Sequence, residues 1–300
     1  MSGLPDLALL AFFPLVMYLF TRMPPHRAII AAVVGGMLFL PVMRMAQVMP
    51  GSPTPIVIGS LFALSKTNTI VVACLLSVLI FDSQRILDFR PRWYDVPMMY
   101  WCIASVVSNL TNGILLNNVY GQGRDHFLQW SIYYFLGRLY LGNLAAIKDL
   151  AIGLLLGAMA YVPFFLYEVA RGPHMHLRIY GFFQHQPGQA VRFGLNRPMV
   201  FMDHGLAVAI FMVPVAVLAF WMWWTKALTS LPLRRGMMPI PMLWVVATLL
   251  VCAVLTVSSG SILLGLAVLG TLVVTSRMSY ALLLVVLLAM PPLYVGLRTS

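Results

Sequence analysis

The residues best able to do chemistry are concentrated in one connection, which extends from Glu168 to His204. It holds four arginines and four of the chain's six histidines: Arg171, Arg178, Arg192, Arg197, His174, His176, His185 and His204. Arginine suits phosphate because its planar fork donates two parallel hydrogen bonds and stays charged at any working pH. Histidine, with an ordinary pKa of about 6.5, can accept a proton from an attacking hydroxyl. The segment therefore predicts a site that binds an anion such as a diphosphate and activates a hydroxyl group.

Two acids stand at the edges of this connection, Glu168 at its start and Asp203 near its end. An ionisable group at a membrane edge is costly unless it is paired or functional, so Glu168 is assigned to substrate binding. Asp203 lies beside His204 and suits an acid that orients a base. It equally suits a helix N-cap, because an apolar run follows it. Both roles stay open, and they are compatible.

The same residues have structural and metal-binding alternatives. A lone arginine at a helix end commonly extends toward lipid headgroups, and four in one loop make that role and anion binding about equally weighted. His174 and His176 are two positions apart and could ligate a metal, but the loop offers no carboxylate at a set spacing. No metal and no cofactor are therefore predicted.

The composition defines the elements that must position these residues. Of 300 residues, 61% are hydrophobic and 9% are charged, whereas a soluble domain has about 25% charged residues. The mean hydropathy is +0.91, which indicates a membrane protein and excludes intrinsic disorder. The net charge of +11 comes without a basic stretch free of membrane segments. Nucleic acid is therefore not an expected partner.

Apolar runs separated by charge, proline and glycine predict about eight to ten transmembrane helices. The runs cover residues 7–20, 28–43, 56–81, 94–108, 131–147, 150–168, 205–224, 239–257, 261–275 and 279–297. The third run has polar residues 65–68 in its middle, which fits either a broken helix or a short outer segment followed by a crossing. We predict an all-α polytopic transmembrane helical bundle, a single integral membrane domain over residues 1–300 with one larger periplasmic functional loop over residues 169–204.

The positive-inside rule orients this bundle. The cations assigned to the cytoplasm are Arg22, Arg27, Arg85, Arg90, Arg92, Lys148, Lys226, Arg234, Arg235 and Arg277. The cations assigned to the opposite side are Arg44, Lys66, Arg124, Arg138, Arg171, Arg178, Arg192, Arg197 and Arg298. Four of these lie in the connection from Glu168 to His204, and a translocated loop that resists the charge bias needs a reason. Anion binding is the most economical reason, and a topology inverted around this loop is the alternative.

Other motifs are structural or missing. Gly153 and Gly157 form a G-x-x-x-G pair, which lets two helices approach closely. The chain has no G-x-S-x-G, P-loop, H-E-x-x-H or acid-rich nucleotide-sugar motif. Donors that need a metal-bound nucleotide are therefore disfavoured.

Short motifs in and around the connection form a familiar pattern. Within the connection they are Glu168, Arg171, His176, Tyr180-Gly181-Phe182, Gln184-His185, Arg192, Arg197-Pro198, Val200-Phe201-Met202 and His204-Gly205-Leu206. Elsewhere they are Tyr134-Phe135-Leu136-Gly137-Arg138 and Pro291-Pro292-Leu293-Tyr294. With these motifs the chain resembles, over most of its length, the O-antigen ligase-like membrane proteins, which include O-antigen ligases and polysaccharide polymerases.

The resemblance implies a metal-independent glycosyltransferase of the bacterial inner membrane. Its donor would be an undecaprenyl-diphosphate-linked glycan on the periplasmic side, its acceptor a glycan or lipid, and its surroundings membrane lipids. Arginines would neutralise the departing diphosphate, and a histidine would orient or deprotonate the acceptor hydroxyl. Substrate binding is assigned to Arg138, Arg171, Arg178, Arg192 and Glu168. Catalysis is assigned to His185, His204 and Arg197.

The chain departs from the family pattern in two places. Family members are usually longer and carry a second large periplasmic loop with its own catalytic histidine. Residues 257–261 also lack the cation that the family generally places there. The chain is therefore expected to be a fragment, a truncated gene product or an inactive relative.

Two other classes of function use the same basic loop. A non-catalytic permease or exporter subunit would admit an anionic lipid or sugar phosphate through it. Such a transporter would be expected to carry mid-membrane ionisable residues, and Asp149 and Glu168 are the intramembrane-edge acids found. A structural assembly subunit would tolerate replacement of every loop arginine.

Overall fold

The structure is a computed structural model and is strongly helical. It describes residues 3–42, 57–58, 62–113, 123–124, 126–185, 188, 190–233, 236–277, 281, 284–285, 288–290, 292–293 and 296. The chain is 76% helical with almost no sheet, which confirms the all-α fold class. Several predicted residues lie outside the described ones: Arg44, Arg234, Arg235, Pro291, Tyr294 and Arg298, with much of the run 279–297.

The described elements follow one another in a simple order. The helices are α1 (Leu4–Arg22), α2 (Pro25–Phe39), α3 (Lys66–Phe81), α4 (Ser83–Leu87), α5 (Val96–Thr111), α6 (Ile132–Tyr140), α7 (Leu144–Arg171), α8 (Met175–Tyr180), α9 (Gly205–Trp224), α10 (Met242–Leu255) and α11 (Ser259–Arg277). A 3₁₀ turn (Trp93–Asp95) precedes α5, and a π-helical turn (Phe127–Ser131) leads into α6. Three antiparallel pairs of two-residue strands are β1–β2 (Val57–Ile58, Phe62–Ala63), β3–β4 (Val191–Arg192, Leu195–Asn196) and β5–β6 (Ser230–Leu231, Ile240–Pro241).

Four of the described helices are long and apolar enough to cross a membrane, namely α1, α7, α9 and α11. Helices α2, α3 and α10 are apolar but shorter. These are the helices of a membrane protein, as the composition predicts. Prolines help to start them: α2 begins at Pro25, where a missing backbone N–H leaves no hydrogen bond unmade.

The third apolar run forms a helix only in its second half. Helix α3 begins at Lys66, and the side chain of Ser65 caps it by accepting a hydrogen bond from the backbone N–H of Asn68 at 3.3 Å. The short pair β1–β2 precedes it. The described part of this run is therefore a short segment followed by a helix, which is the second of the two alternatives drawn from the sequence.

The boundary predicted at residues 148–149 is wrong. Helix α6 ends at Tyr140, and α7 then runs for 28 residues through Lys148 and Asp149 to Arg171. Asn143 caps α7 by accepting from the backbone N–H of Ala146 at 2.9 Å. Asp149 is accommodated within the helix because α2 supplies its partners, Arg27 Nε at 2.9 Å and His26 Nε2 at 3.0 Å.

The described chain forms two compact units, Met1–Ala207 and Val208–Ser300. In the first unit α2 and α7 lie side by side in parallel. A Cβ on Gly153 would lie 2.4 Å from Ile30 Cγ2, and one on Gly157 would lie 2.5 Å from Val34 Cγ1. The predicted close approach of two helices at this glycine pair is confirmed.

The amino end of α7 gathers several helix ends. Tyr140, at the end of α6, donates its hydroxyl to Asp82 Oδ2 at 2.9 Å, and Arg85 Nη1 donates to the carbonyl of Leu139 at 3.1 Å. Phe20 of α1 stacks on Phe81 of α3, with ring centroids 5.9 Å apart. The carboxyl ends of α1, α3 and α6 therefore meet near the start of α7.

The carboxyl end of α7 lies with the end of α2 and the start of α3. Phe39 packs edge-on against Tyr161 with centroids 6.0 Å apart, and Tyr180 donates its hydroxyl to the carbonyl of Phe39 at 2.9 Å. Lys66 reaches the carbonyl of Phe201 from the first turn of α3. The connection from Glu168 to His204 is therefore built at this end of α7.

Arg138 lies at the amino end of α7, and its predicted sidedness is wrong. The charge rule placed it opposite Arg85, Arg90 and Arg92, yet all four arginines line one pocket of about 320 Å³. The reason is the shared position of α6 and α7: a three-residue link joins Tyr140 to Leu144 and leaves no room for a crossing between them.

The second unit holds most of α9, the β5–β6 pair, α10 and α11. Helix α11 approaches α9 closely, since a Cβ on Gly265 would lie 2.4 Å from Val213 Cγ1. Met212, Leu249 and Cys252 are fully buried in the interior of the second unit.

Candidate functional site

Glu168 anchors the connection to α7. It lies in the last turn of α7 with none of its surface exposed. Its Oε1 accepts from the backbone N–H of Met175 at 2.9 Å, and its Oε2 accepts from Met199 and Val200 at 2.8 and 2.7 Å. The carboxylate therefore ties the first and last parts of the loop to one helix. Glu168 is therefore a positioning residue for the loop. Its role in substrate binding stays a prediction.

The backbone strip from Met199 to Phe201 is held firmly, as the conformation of Val200 shows. Its φ of 49° lies in the left-handed region, which is strained for a β-branched side chain. Its N–H is bound by Glu168, and its carbonyl accepts from Gln184 Nε2 at 3.0 Å. Buried side chains on both sides of the peptide hold a conformation that Val200 would not adopt by itself.

Lys66 and Tyr161 also form hydrogen bonds with the backbone of this strip, at Phe201. Lys66 is 8% exposed and donates from Nζ to the carbonyl of Phe201 at 2.7 Å. The backbone N–H of Phe201 donates to the hydroxyl of Tyr161 at 3.3 Å. Lys66 is a loop-contacting residue that the sequence reasoning missed, because 135 positions separate it from its partner. The polar residues inside the third apolar run were the available signal.

His176 is a buried structural residue. It is 1% exposed, its Nδ1 donates to the carbonyl of Phe182 at 2.9 Å, and its Nε2 accepts from the backbone N–H of Val42 at 3.2 Å. Burial lowers the pKa of His176 to about 4, and the nearby Lys66 contributes to the same direction. Both ring nitrogens are engaged with backbone, so the ring is neutral and carries its proton on Nδ1.

The His174–His176 pair is not arranged for a metal. His174 packs its ring against Phe183, with centroids 6.0 Å apart, while His176 is committed to backbone partners. Among the described residues there is no group of three His, Cys, Asp or Glu side chains that could hold a metal ion.

His185 and His204 are brought together. Their ring centroids are 5.3 Å apart in an edge-to-face arrangement. The Nδ1 of His204 accepts from the backbone N–H of Leu206 at 2.8 Å, and its carbonyl accepts from Ala207 at 2.9 Å, so His204 caps the start of α9. An Nδ1 that accepts carries a lone pair, so Nε2 of the neutral ring holds the proton.

Asp203 is exposed, and its carboxylate acts electrostatically on Lys66 and on His176. The acid therefore lies near enough to both residues to influence their charge. This arrangement is compatible with the predicted orienting role of Asp203.

Arg197 lies against the first residue of α9. A Cβ on Gly205 would lie 2.6 Å from Arg197 Cγ and 2.7 Å from Arg197 Nε, so only glycine allows this close approach. The buried Nε of Arg197 has no hydrogen-bond partner among the described residues. Burial lowers the pKa of Arg197, and the positive charge of Arg192 adds to this effect. Within the part of the chain that the structure describes, neither guanidinium group is paired with a carboxylate, so the two together favour an anion.

The β3–β4 hairpin presents these two arginines. Its residues Val191 and Arg192 pair with Asn196 and Leu195, and the backbone N–H of Arg197 donates to the carbonyl of Ala190 at 2.8 Å. Arg192 therefore lies next to the turn of the hairpin, and Arg197 lies at its open end. Arg197 packs against Gly205, the residue that follows His204 in the chain, so it lies close to the histidine pair.

The remaining predicted arginines have other contacts or lie elsewhere. Arg178 packs over the ring of Tyr167 at 5.4 Å, and Arg171 is exposed in the last turn of α7. Arg138 is bound to Asp95 at 2.7 Å at the amino end of α7. A helix of 28 residues is about 42 Å long, so Arg138 is far from the loop. The structure brings together His185, His204, Arg192 and Arg197, and it does not add Arg138.

Comparisons with protein-family models, with curated proteins and with solved structures find no match to this chain. The resemblance to O-antigen ligase-like proteins therefore stays a prediction.

Proposed function

We propose that this chain is a multi-helix protein of the bacterial inner membrane that transfers a glycan from an undecaprenyl-diphosphate-linked donor to an acceptor hydroxyl, as O-antigen ligases and polymerases do. The observation that carries the proposal is the position of Arg192 and Arg197, which form no ion pair among the described residues, close to the His185–His204 pair. Two cationic groups close to a potential base are the minimum equipment for displacing a diphosphate by a hydroxyl group.

The helices support a multi-helix membrane protein. Among the described residues, four helices are long enough to cross and three more are apolar but shorter. The proposal also counts α5 and the stretch from the π-helical turn through α6 as crossings. On this proposal α7 crosses the membrane, and its carboxyl end presents the loop 169–204 to the periplasm.

The arginines act on the leaving group. As the bond between sugar and diphosphate breaks, negative charge grows on the diphosphate oxygen, and Arg192 and Arg197 stabilise it with fixed, charged donors. The amino terminus of α9 adds a partial positive charge, because its first backbone N–H groups point away from the helix. The site needs no metal for this part of the reaction.

The two histidines have different roles in the proposed reaction. His204 uses Nδ1 to cap α9, so its Nε2 is a donor that can hydrogen-bond an oxygen of the donor substrate. His185, whose ring packs edge-to-face against that of His204, is assigned as the base. The acceptor oxygen forms a bond to the anomeric carbon, the carbon–oxygen bond to diphosphate breaks, and its electron pair leaves with the diphosphate. The acceptor proton passes to His185, which later releases it to water.

The test is glycan transfer by the full chain in liposomes that contain an undecaprenyl-diphosphate-linked oligosaccharide and a lipid-linked glycan acceptor. The wild-type chain should form a product with a new glycosidic bond, detected by mass. Arg197→Ala should lower the rate at least about a hundredfold, the usual effect of removing one transition-state donor. Arg90→Ala, which removes an exposed positive charge at the other end of α7, is the matched control and should retain the rate.

Two histidine variants separate the two roles. Because asparagine is also a good N-cap, His204→Asn should keep the fold and part of the rate, whereas His185→Ala should abolish transfer at every pH. Flux of labelled lipid across the membrane without any new glycosidic bond would contradict the proposal and favour a permease. Full transfer by Arg197→Ala would also contradict it, because the guanidinium group of Arg197 would then have no role.

A further inference from the structure

A basic pocket lies at the amino end of α7, remote from the loop. It has a volume of about 320 Å³, and its charged lining is Arg85, Arg90, Arg92, Arg138 and Asp88. Arg85 is paired with Asp82 at 3.0 Å, and Arg138 is paired with Asp95. Neither Arg90 nor Arg92 forms an ion pair among the described residues. Four arginines thus face three aspartates, Asp82, Asp88 and Asp95, so the pocket keeps a positive charge.

An apolar groove adjoins this pocket. It has a volume of about 450 Å³, and its lining includes Met98, Met99, Phe127, Ile132 and Phe135. These residues come from α5, from the π-helical turn and from α6. The flexible methionine side chains can adapt to an irregular hydrocarbon chain.

The pocket and the groove share a wall. Phe89 lines both of them. The ion pair between Asp95 and Arg138 stands at their boundary, since Asp95 lines the groove and Arg138 lines the pocket. Tyr134 donates its hydroxyl to the same Asp95, and Tyr94 lies under the guanidinium of Arg138 at 4.6 Å. The Asp95–Arg138 ion pair, held by these two tyrosines, therefore lies between the cationic pocket and the apolar groove.

We infer that these two cavities form one binding site for an anionic phospholipid, with its phosphate headgroup in the pocket and an acyl chain in the groove. A free phosphate would use the pocket alone, and a neutral hydrocarbon would use the groove alone. An amphiphile with a negatively charged head and an apolar tail matches both of these adjoining cavities. Basic pockets between helices at one membrane face bind such lipids. The site lies about 42 Å from the loop along α7, so it stands independently of the proposed transfer reaction.

The experiment measures lipid binding to the full chain in nanodiscs made of phosphatidylcholine, with phosphatidylglycerol as the added probe and native mass spectrometry as the readout. The double variant Arg90→Ala with Arg92→Ala should bind phosphatidylglycerol about thirtyfold more weakly, since each arginine near a charged lipid contributes about a fivefold effect. Neither arginine is part of an ion pair among the described residues, so the variant should fold. Folding is checked by its thermal unfolding midpoint.

The matched control is Arg22→Ala with Lys148→Ala, which removes the same charge from exposed residues at the same end of the helices. It should bind phosphatidylglycerol as the wild type does. Met99→Trp should fill the groove, weaken binding of phosphatidylglycerol and leave binding of inorganic phosphate unchanged. Met99 is 58% exposed, so the larger side chain is tolerated.

Three results would overturn the inference. Equal weakening by the control pair would mean that only general surface charge attracts the lipid. An unchanged affinity in Met99→Trp would mean that the groove does not hold the chain and that a soluble anion fits the pocket. Equal retention of added phosphatidylcholine and phosphatidylglycerol would mean that the arginines do not recognise the headgroup.

Discussion

At the level of single residues, the carboxylate of Glu168 has partners of an unusual kind for a buried charge. Its hydrogen bonds come from three backbone N–H groups, those of Met175, Met199 and Val200. Each bond to a charged acceptor is stronger than a neutral one, and each donor is costly to leave unpaired in a buried site. One side chain therefore fixes where the loop leaves α7 and where it returns toward α9.

Replacement of Glu168 should loosen the loop in two graded steps. In Glu168→Gln the amide oxygen can still accept from Met199 and Val200, while the amide nitrogen faces the N–H of Met175. We expect a loss of about 1 to 2 kcal/mol for this variant and of about 3 kcal/mol for Glu168→Ala, which leaves all three donors unpaired. Hydrogen exchange of peptides covering residues 172–204 should speed up in the same order.

Asp88→Asn is the matched control, because Asp88 is an exposed acid whose hydrogen bond comes from Gln84 at 3.3 Å. It should leave exchange in the loop unchanged. Equal exchange in Glu168→Ala and in the wild type would show that the loop is held by other contacts, such as those of Tyr161 and Lys66.

The sequence identified the correct segment for these residues but could not sort their roles. Residue types and their density pointed to residues 169–204, and His185 and His204 do lie together there. Glu168 and His176 look equally reactive in the sequence, yet both are bound to backbone groups. A backbone N–H or carbonyl is the same in almost every residue type, so a sequence pattern cannot show which backbone group a side chain binds. Only the folded chain separates a loop anchor from a ligand.

At the level of elements, the contact between α2 and α7 determines where the loop can be built. The two helices run parallel, with Ile30 beside Gly153 and Val34 beside Gly157. Two glycines four positions apart lie on one face of a helix, and the absence of side chains lets the backbones approach. Because α2 ends at Phe39, its close alignment with α7 brings Phe39 to Tyr161 under the loop.

Alanine at Gly153 or Gly157 should push α2 and α7 apart. A Cβ there would overlap Ile30 or Val34, and overpacking of this kind costs about 1 to 3 kcal/mol. Gly35, which has no atom within 4 Å of its would-be Cβ, is the control on the same pair of helices. Gly35→Ala should stabilise the protein by up to about 1 kcal/mol, because alanine is the better helix former. Thermal unfolding in one detergent compares the three variants.

A Gly157→Ala variant as stable as Gly35→Ala would show that the two helices can separate without cost. The sequence was sufficient to predict this contact, since G-x-x-x-G spacing is local. It was not sufficient to place the start of α7. Lys148 and Asp149 looked like a break between two helices, and only the partners that His26 and Arg27 supply make them tolerable inside one. Charge in an apolar run marks a boundary only when no other helix neutralises it.

At the level of the first compact unit, α7 separates two cationic places. Arg192 and Arg197 lie at its carboxyl end, and Arg85, Arg90, Arg92 and Arg138 lie at its amino end. A 28-residue helix of about 42 Å exceeds the roughly 30 Å hydrocarbon core of a bilayer. The positive charge that composition reports as one total is thus divided between two surfaces. On the proposal that α7 crosses the membrane, those surfaces face opposite compartments.

Single cysteines test this separation in a background in which Cys74, Cys102 and Cys252 are replaced. Leu144, 81% exposed at the amino end of α7, and Leu195, 57% exposed in the loop, are the labelled positions. In sealed membrane vesicles of one orientation, an impermeant maleimide should label one variant before lysis and the other only after it. The order should reverse in inverted vesicles, because a helix that crosses the membrane leaves its two ends in different compartments. Labelling of both positions from one side would show that α7 does not cross. It would also remove the basis for a periplasmic donor at Arg197, since the charge of the loop would then face the same compartment as the arginines at the other end.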